Sequence, residues 1–183
     1  MGKGIAASML MAMIMGFMFE WGKKESSPGS VLKMLNNQLS RLGGGGTDTP
    51  FVTMFYAVYD EESRELTYTV AGHQAGLWLH GDGHVEALAT EGIPVGLFED
   101  TDFTEASVIL SPGDRVVLFT DGISEARDES GDMYGADRLK ALLAMNPRLP
   151  IADLLGLIQR DVLRFASGKA ADDMAVLIME AKA

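Results

Sequence analysis

The sequence predicts an α+β domain in which antiparallel sheet carries helices on its outer faces. Three observations predict it: helical spacing of apolar residues in two opening segments, strand alternation in a central block that starts at Phe51, and two further amphipathic segments ahead of a final apolar run at residues 174–179. At 183 residues the chain suits one domain with a substantial core. A hydrophobic fraction of 47% and a charged fraction of 22% are ordinary for a soluble globular protein. Cysteine is absent, which excludes disulfides, thiolate metal sites and a cysteine nucleophile, and fits a reducing, cytoplasmic compartment. The net charge of -11 leaves the chain without the basic footprint of a nucleic-acid binder.

The first segment, residues 5–19, holds no charge and includes Met9, Met11, Met13, Met15 and Met18. It is shorter than the ~20 residues that span a bilayer as a helix, and no convincing small-residue cleavage site follows it. Hydrophobic on all sides, it reads as a helix buried over most of its surface, with a membrane or interfacial helix as the alternative. Stable membrane insertion is not expected. Gly2-Lys3-Gly4 is too short to be a phosphate loop. Residues 25–30 then break the chain, and Pro28 suits the first turn of a second helix. Val31, Leu32, Leu35, Leu39 and Leu42 give that helix an apolar face, with polar Lys33, Asn36, Asn37 and Ser40 between them. Gly43 to Gly46 end it in a flexible connector.

From Phe51 the period becomes that of strands. Residues 51–59 and 66–71 form a hairpin around Asp60-Glu61-Glu62-Ser63, and residues 75–80 and 84–88 form another around Gly81-Asp82-Gly83. An antiparallel meander is the economical arrangement. His73, in a Gly-His-Gln turn, reads as a structural hydrogen-bonding residue more readily than as a ligand, and His80 and His84, flanking the glycine turn, read as solvated. Gly92 to Gly96 make a turn-rich loop, and residues 103–110 resume alternation. Ser111-Pro112-Gly113-Asp114 then turns into the central strand. The later helices, residues 136–144 and 151–165, carry Leu139, Leu142 and Leu143, then Leu154, Leu155, Ile158 and Val162 at helical spacing.

The chemistry concentrates on residues 116–126. A buried apolar strand runs through Val116, Val117, Leu118 and Phe119 to Thr120-Asp121-Gly122, a common way to hold one carboxylate rigidly at a cleft. The pair Asp172-Asp173 stands just ahead of the last apolar run. If the two strands are neighbours, the carboxylates converge, and without histidine or cysteine they suit a hard cation such as Mg²⁺ or Mn²⁺. The plainer alternative is an ordinary Asp-Gly turn and a solvated acidic loop. The polar segment at residues 127–132 lacks the ligand spacing of an EF-hand and reads as a mobile flap beside the site.

Taken together, several segments resemble the bacterial PP2C-type serine/threonine phosphatases of the SpoIIE/RsbU group. They are Gly2-Lys3-Gly4-Ile5-Ala6-Ala7, residues 51–56, Ala71-Gly72-His73, residues 92–97, Pro112-Gly113-Asp114, residues 119–126, Tyr134-Gly135 and Asp172-Asp173-Met174, in the family's order over nearly the whole chain. The resemblance implies an αββα sandwich of two mostly antiparallel sheets with outer helices, formed by residues 1–183. It implies hydrolysis of phosphoserine or phosphothreonine by metal-activated water with two Mn²⁺ or Mg²⁺ ions, on phosphorylated STAS-type antagonists of anti-sigma factors. Asp121 and Asp172 correspond to metal ligands, and Thr120, Gly122 and Asp173 to residues that position them.

The family pattern starts earlier, with a Gly-Gly-Asp strand and an Asp-Val-x-Gly-Lys-Gly motif, of which Met1 holds the x position. Both upstream aspartates are therefore missing from this chain. The expectation is a domain incomplete at its N-terminus, with weak metal binding, little activity of its own, and an uncovered sheet edge that favours a homodimer or swapped assembly. The alternatives are a non-catalytic signalling domain that keeps the fold, and an unrelated Mg²⁺ site on a mixed α/β domain.

Overall fold

The computed structural model describes residues 4–23, 27–42, 50–168 and 173–182. Its elements in chain order are α1 (Ile5–Trp21), α2 (Pro28–Leu42), β1 (Met54–Asp60), β2 (Glu65–Ala71), β3 (Gly76–Leu79), β4 (Val85–Leu88), β5 (Ala106–Ile109), β6 (Arg115–Phe119), α3 (Asp121–Ser124), α4 (Gly135–Ala144), α5 (Ile151–Phe165) and β7 (Val176–Glu180). They fall into two compact units, Met1–His73 with Ala89–Ile109, and Gln74–Leu88 with Leu110–Ala183. The connector at residues 43–49 lies outside the described residues.

In the first unit, β1, β2 and β5 form an antiparallel sheet in the order β1-β2-β5. The apolar face of α2 explains its place: Val31, Leu32, Leu35 and Leu39 are fully buried, and all but Val31 share a core with Ile14, Ala71, Val95 and Phe103. Glu105 caps this helix from outside, its Oε1 accepting from the Gly29 amide and the Ser27 hydroxyl. Leu42 departs from the expected face and is exposed.

The helix α1 corrects an expectation. Leu10, Met13, Ile14, Phe17, Met18 and Trp21 pack inward, whereas Ile5, Met9, Met11, Met15 and Phe19 are exposed, Ile5 at 82%. A helix packed along one side of its unit buries one face, however apolar the rest of its circumference. Burial over most of its surface does not occur.

Two polar residues of α2 are also not where spacing put them. Asn36 and Ser40 are buried, because Asn36 closes on a loop: its Nδ2 donates to the Phe98 carbonyl at 2.8 Å and its Oδ1 accepts from the Gly96 amide at 2.7 Å. Asn37 Oδ1 accepts from the Asp100 amide at 3.1 Å. The loop is thereby fastened to the helix. Gly72 has φ +62°, and a Cβ there would meet Pro94 Cγ at 2.5 Å, so the Ala71-Gly72-His73 motif admits no side chain at its centre.

The second unit is an antiparallel sheet in the order β4-β3-β6-β7 with α3, α4 and α5. The expected single meander is therefore overturned. β2 pairs with β5, and β3 joins a different sheet, because the segment at residues 72–75 carries the chain from one sheet to the other rather than turning it back. Leu77, Leu79, Val117 and Phe119 pack with Leu139, Leu143, Leu154, Ile158 and Val162 in one core. Buried Arg115 donates from Nε to Glu180 at 2.7 Å and from Nη1 to the Leu149 carbonyl at 2.7 Å, which ties β6 to β7 and to the α4–α5 connection.

Buried Tyr134 donates its hydroxyl to Asp161 Oδ2 at 2.7 Å. Burial pushes the Asp161 carboxyl up, but the Tyr134 hydroxyl and the Arg164 guanidinium outweigh it and hold it below the usual carboxylate range. A depressed carboxylate contributes stability above its unfolded pKa of about 3.9 that is lost as pH falls through the lower folded value. Urea titrations should therefore show Asp161→Asn less stable than wild type at pH 7, with the gap closing below about pH 4. A gap that persists unchanged at pH 3 contradicts this. Asn36→Ala should lower stability by about 1–3 kcal/mol, since it strands the buried Gly96 amide. A loss under about 0.5 kcal/mol would show that the loop re-pairs without it.

Candidate functional site

The site is built on β6, the most enclosed strand of its sheet. Arg115, Val116, Val117 and Phe119 are buried, and β3 and β7 flank the strand on its two sides. Slipping such a strand by one residue would turn its apolar side chains to the wrong face, so its end is fixed in space. The strand stops at Phe119 and the chain turns at once into α3, with the Ile123 amide donating to the Thr120 carbonyl at 3.0 Å. Buried Ile123 anchors that turn in the core.

Asp121 stands exposed at this corner, and its Oδ1 accepts from the Gly122 amide at 2.9 Å. Gly122 is buried. Thr120 ties the corner to the neighbouring segment. Its amide donates to the Ala175 carbonyl at 3.1 Å, its Oγ1 donates to the Asp173 carbonyl at 3.0 Å, and the same Oγ1 accepts from the Ala175 amide at 2.9 Å. With β6 and β7 paired antiparallel, Phe119 opposite Val176, the two strands are the neighbours that the convergence of carboxylates required. Exposed Asp173 is the first residue of the segment that Thr120 holds beside Asp121. Asp172, the second expected metal ligand, lies outside the described residues.

One participant was not expected. Gln74 donates from Nε2 to the Phe119 carbonyl at 3.0 Å and accepts the Ser124 hydroxyl at 2.9 Å, so it braces both ends of the strand-to-helix corner. Its only sequence signal is its place next to Ala71-Gly72-His73. The segment read as a flap is closed on itself: Arg127 bridges to Met133, and Asp128 Oδ1 accepts from the Ser130 and Asp132 amides at 2.9 and 3.0 Å.

The donor chemistry at the corner fits a hard divalent cation. Asp121 presents an exposed carboxylate, the Asp173 segment is pinned beside it, and the cysteine-free chain has no thiolate to draw a softer ion. Among the described residues, no three carboxylates or imidazoles gather around one point.

The fold matches that of solved PP2C domains. The PP2C domain of SpoIIE from Bacillus subtilis, solved with a fragment of its regulatory domain, superposes with a TM-score of 0.81 over 100% of this chain and 52% of that one, at 20% identity. The SiaA PP2C domain of Pseudomonas aeruginosa superposes at 0.78 over 97% of this chain and 71% of that one, at 18% identity. Beyond the shared fold, the family model for stage II sporulation protein E matches residues 1–182. Phosphoserine phosphatase RsbU of Bacillus subtilis (strain 168) is 30% identical over 182 residues, 99% of this chain and 53% of that protein. The chain belongs to the SpoIIE family, and it spans about half the length of RsbU.

Thr120→Val keeps the side-chain volume and removes the hydroxyl that holds residues 173–175. It should cost about 1–2 kcal/mol and speed hydrogen exchange of the Ala175 amide. Unchanged exchange at Ala175 would show that strand pairing alone holds the segment.

Proposed function

We propose that this chain is a metal-dependent serine/threonine protein phosphatase domain of PP2C type, formed by residues 1–183 and working in bacterial signalling in the cytoplasm. The observation that carries the reading is the exposed Asp121 carboxylate at the end of a buried central strand, with the Asp173 segment hydrogen-bonded beside it. Family membership supports it, since RsbU is named a phosphoserine phosphatase. Asp121 and Asp172 would hold the cations, Mn²⁺ or Mg²⁺. When bound, such ions activate water and neutralise charge on phosphoryl oxygens.

The chain's own residues set where that happens. Gly122 donates to Asp121 Oδ1 and so restrains the carboxylate at the corner. Thr120 and Asp173 keep the two segments at a fixed spacing, and Gln74 stops the corner from rotating. Two carboxylates are few for a two-ion cluster, so this chain alone binds metal weakly and turns over slowly. That scarcity is also what favours the second reading, a non-catalytic signalling domain. The substrate class is a phosphorylated STAS-type antagonist of an anti-sigma factor. A second copy is the further partner, joined through a sheet edge such as β7, whose Leu177 is exposed.

The test is hydrolysis of p-nitrophenyl phosphate and of a phosphoserine STAS domain with added Mn²⁺. The expected result is a low, Mn²⁺-dependent rate that falls at least about 100-fold in Asp121→Asn. Equal rates in the two proteins would remove Asp121 from the chemistry, and no Mn²⁺-dependent rate in either would favour the non-catalytic reading.

A further inference from the structure

Polar side chains stand at both ends of β3. At the hairpin end His80, expected to be solvated, has its ring 4.0 Å from Trp78 and its Nε2 2.9 Å from Glu86 Oε1, a pair closed on itself. At the other end Gln74 reaches across to the Asp121 corner. The β3–β6 ladder stops at Leu77 opposite Val117, two residues short of the end of β6 at Phe119. Backbone pairing with β3 therefore supplies no rung for the last carbonyl of that strand, and the Gln74 side-chain amide supplies one instead.

We propose that Gln74 and Ser124 form a positioning pair that sets the affinity of the Asp121 corner for its divalent cation, an inference that rests on the phosphatase reading above. The peptide group between Phe119 and Thr120 is held at both ends. Its carbonyl accepts from Gln74 Nε2 at 3.0 Å, and its N–H, which points the opposite way, donates to the Ala175 carbonyl at 3.1 Å. The plane that leads into Asp121 is thereby fixed from two neighbours. Past Asp121, the Ser124 hydroxyl donates to Gln74 Oε1 at 2.9 Å, with the Asp121 carbonyl farther off at 3.4 Å and already taken by the Glu125 amide at 2.7 Å. One side chain thus grips the chain on both sides of the carboxylate.

The double contact dictates the residue type. A backbone carbonyl only accepts, so the Gln74 NH₂ must face Phe119, which leaves the amide oxygen for the Ser124 hydroxyl. Glutamate would keep the acceptor and lose the donor, methionine would keep the length and lose both, and asparagine is one methylene short. The core holds the side chains of Phe119 and Ile123. What Gln74 and Ser124 add is the orientation of the peptides between them, from which Asp121 projects. Contacts of this kind hold a metal ligand without touching the metal, and losing one weakens binding by about 10–100-fold. Their loss therefore falls on the cation more than on the fold.

Mn²⁺ titration followed by electron paramagnetic resonance, which counts the free ion, tests the pair without turnover. Binding present in wild type and absent from Asp121→Asn defines the corner's share. Its dissociation constant should rise about tenfold or more in Gln74→Met and in Ser124→Ala, and stay within about twofold in Ser124→Thr, which keeps the hydroxyl. The double variant Gln74→Met/Ser124→Ala should bind no more weakly than Gln74→Met alone, as expected for two residues acting through one contact. Neither side chain is fully buried, so the variants fold. In metal-free protein, ¹⁵N relaxation should show the Gly122 and Ile123 amides more mobile in Gln74→Met than in wild type. Equal affinities in wild type, Gln74→Met and Ser124→Ala, while Asp121→Asn still loses binding, overturn the positioning pair and leave the phosphatase reading standing. Gly122 and Ile123 amides as rigid in Gln74→Met as in wild type overturn it too. Equal Mn²⁺ binding in wild type and Asp121→Asn overturns the phosphatase reading, and the affinity claim falls with it.

Discussion

Everything at the candidate site depends on the clasp between the end of β6 and residues 173–175. Thr120 makes three hydrogen bonds across that gap, two of them through one hydroxyl. Each is worth only about 1 kcal/mol net, yet together they decide the spacing of two acidic segments that are far apart in sequence. The strand beneath supplies the rigidity. Val117 and Phe119 are locked in the same core as Ile123, so the corner cannot move unless the core does. A carboxylate displayed in this way costs little to leave in water, and its position is fixed by the strand and turn that carry it.

The same logic holds for the ladder beneath the Asp121 corner. Arg115 and Glu180 pair at one end of the β6–β7 ladder and Thr120 closes the other, so the ladder is tied at both ends. In the first unit the comparable work is done by side chains of α2, through Asn36 and Asn37. Its outward α1 face remains apolar, and that is the clearest departure from an ordinary surface helix.

Much of this could be read from the chain. The amphipathic spacing of α2, α4 and α5, the two hairpins and the strand ending in Thr120-Asp121-Gly122 follow from periodicity and turn chemistry, which are local. The division into two sheets could not be read that way, because strand pairing between β2 and β5 or between β6 and β7 is set by contacts across long stretches of chain. The burial of Asn36 was hidden for the same reason: a polar residue at a polar helical position gives no sign that a loop will fold onto it. Asp121 was legible from its motif. Gln74 was not, since its partners Phe119 and Ser124 lie more than forty residues away.

The central claim is that the Asp121 corner and the Asp173 segment form one cation site. Paramagnetic broadening of backbone amide signals by substoichiometric Mn²⁺ tests it without requiring turnover. The account predicts that the amides of Gly122, Ser124, Asp173 and Ala175 broaden first and together, and that Asp121→Asn removes the effect at all four. Broadening centred elsewhere, on the Asp128–Asp132 turn for example, or broadening at Gly122 that leaves Asp173 and Ala175 sharp, would contradict it.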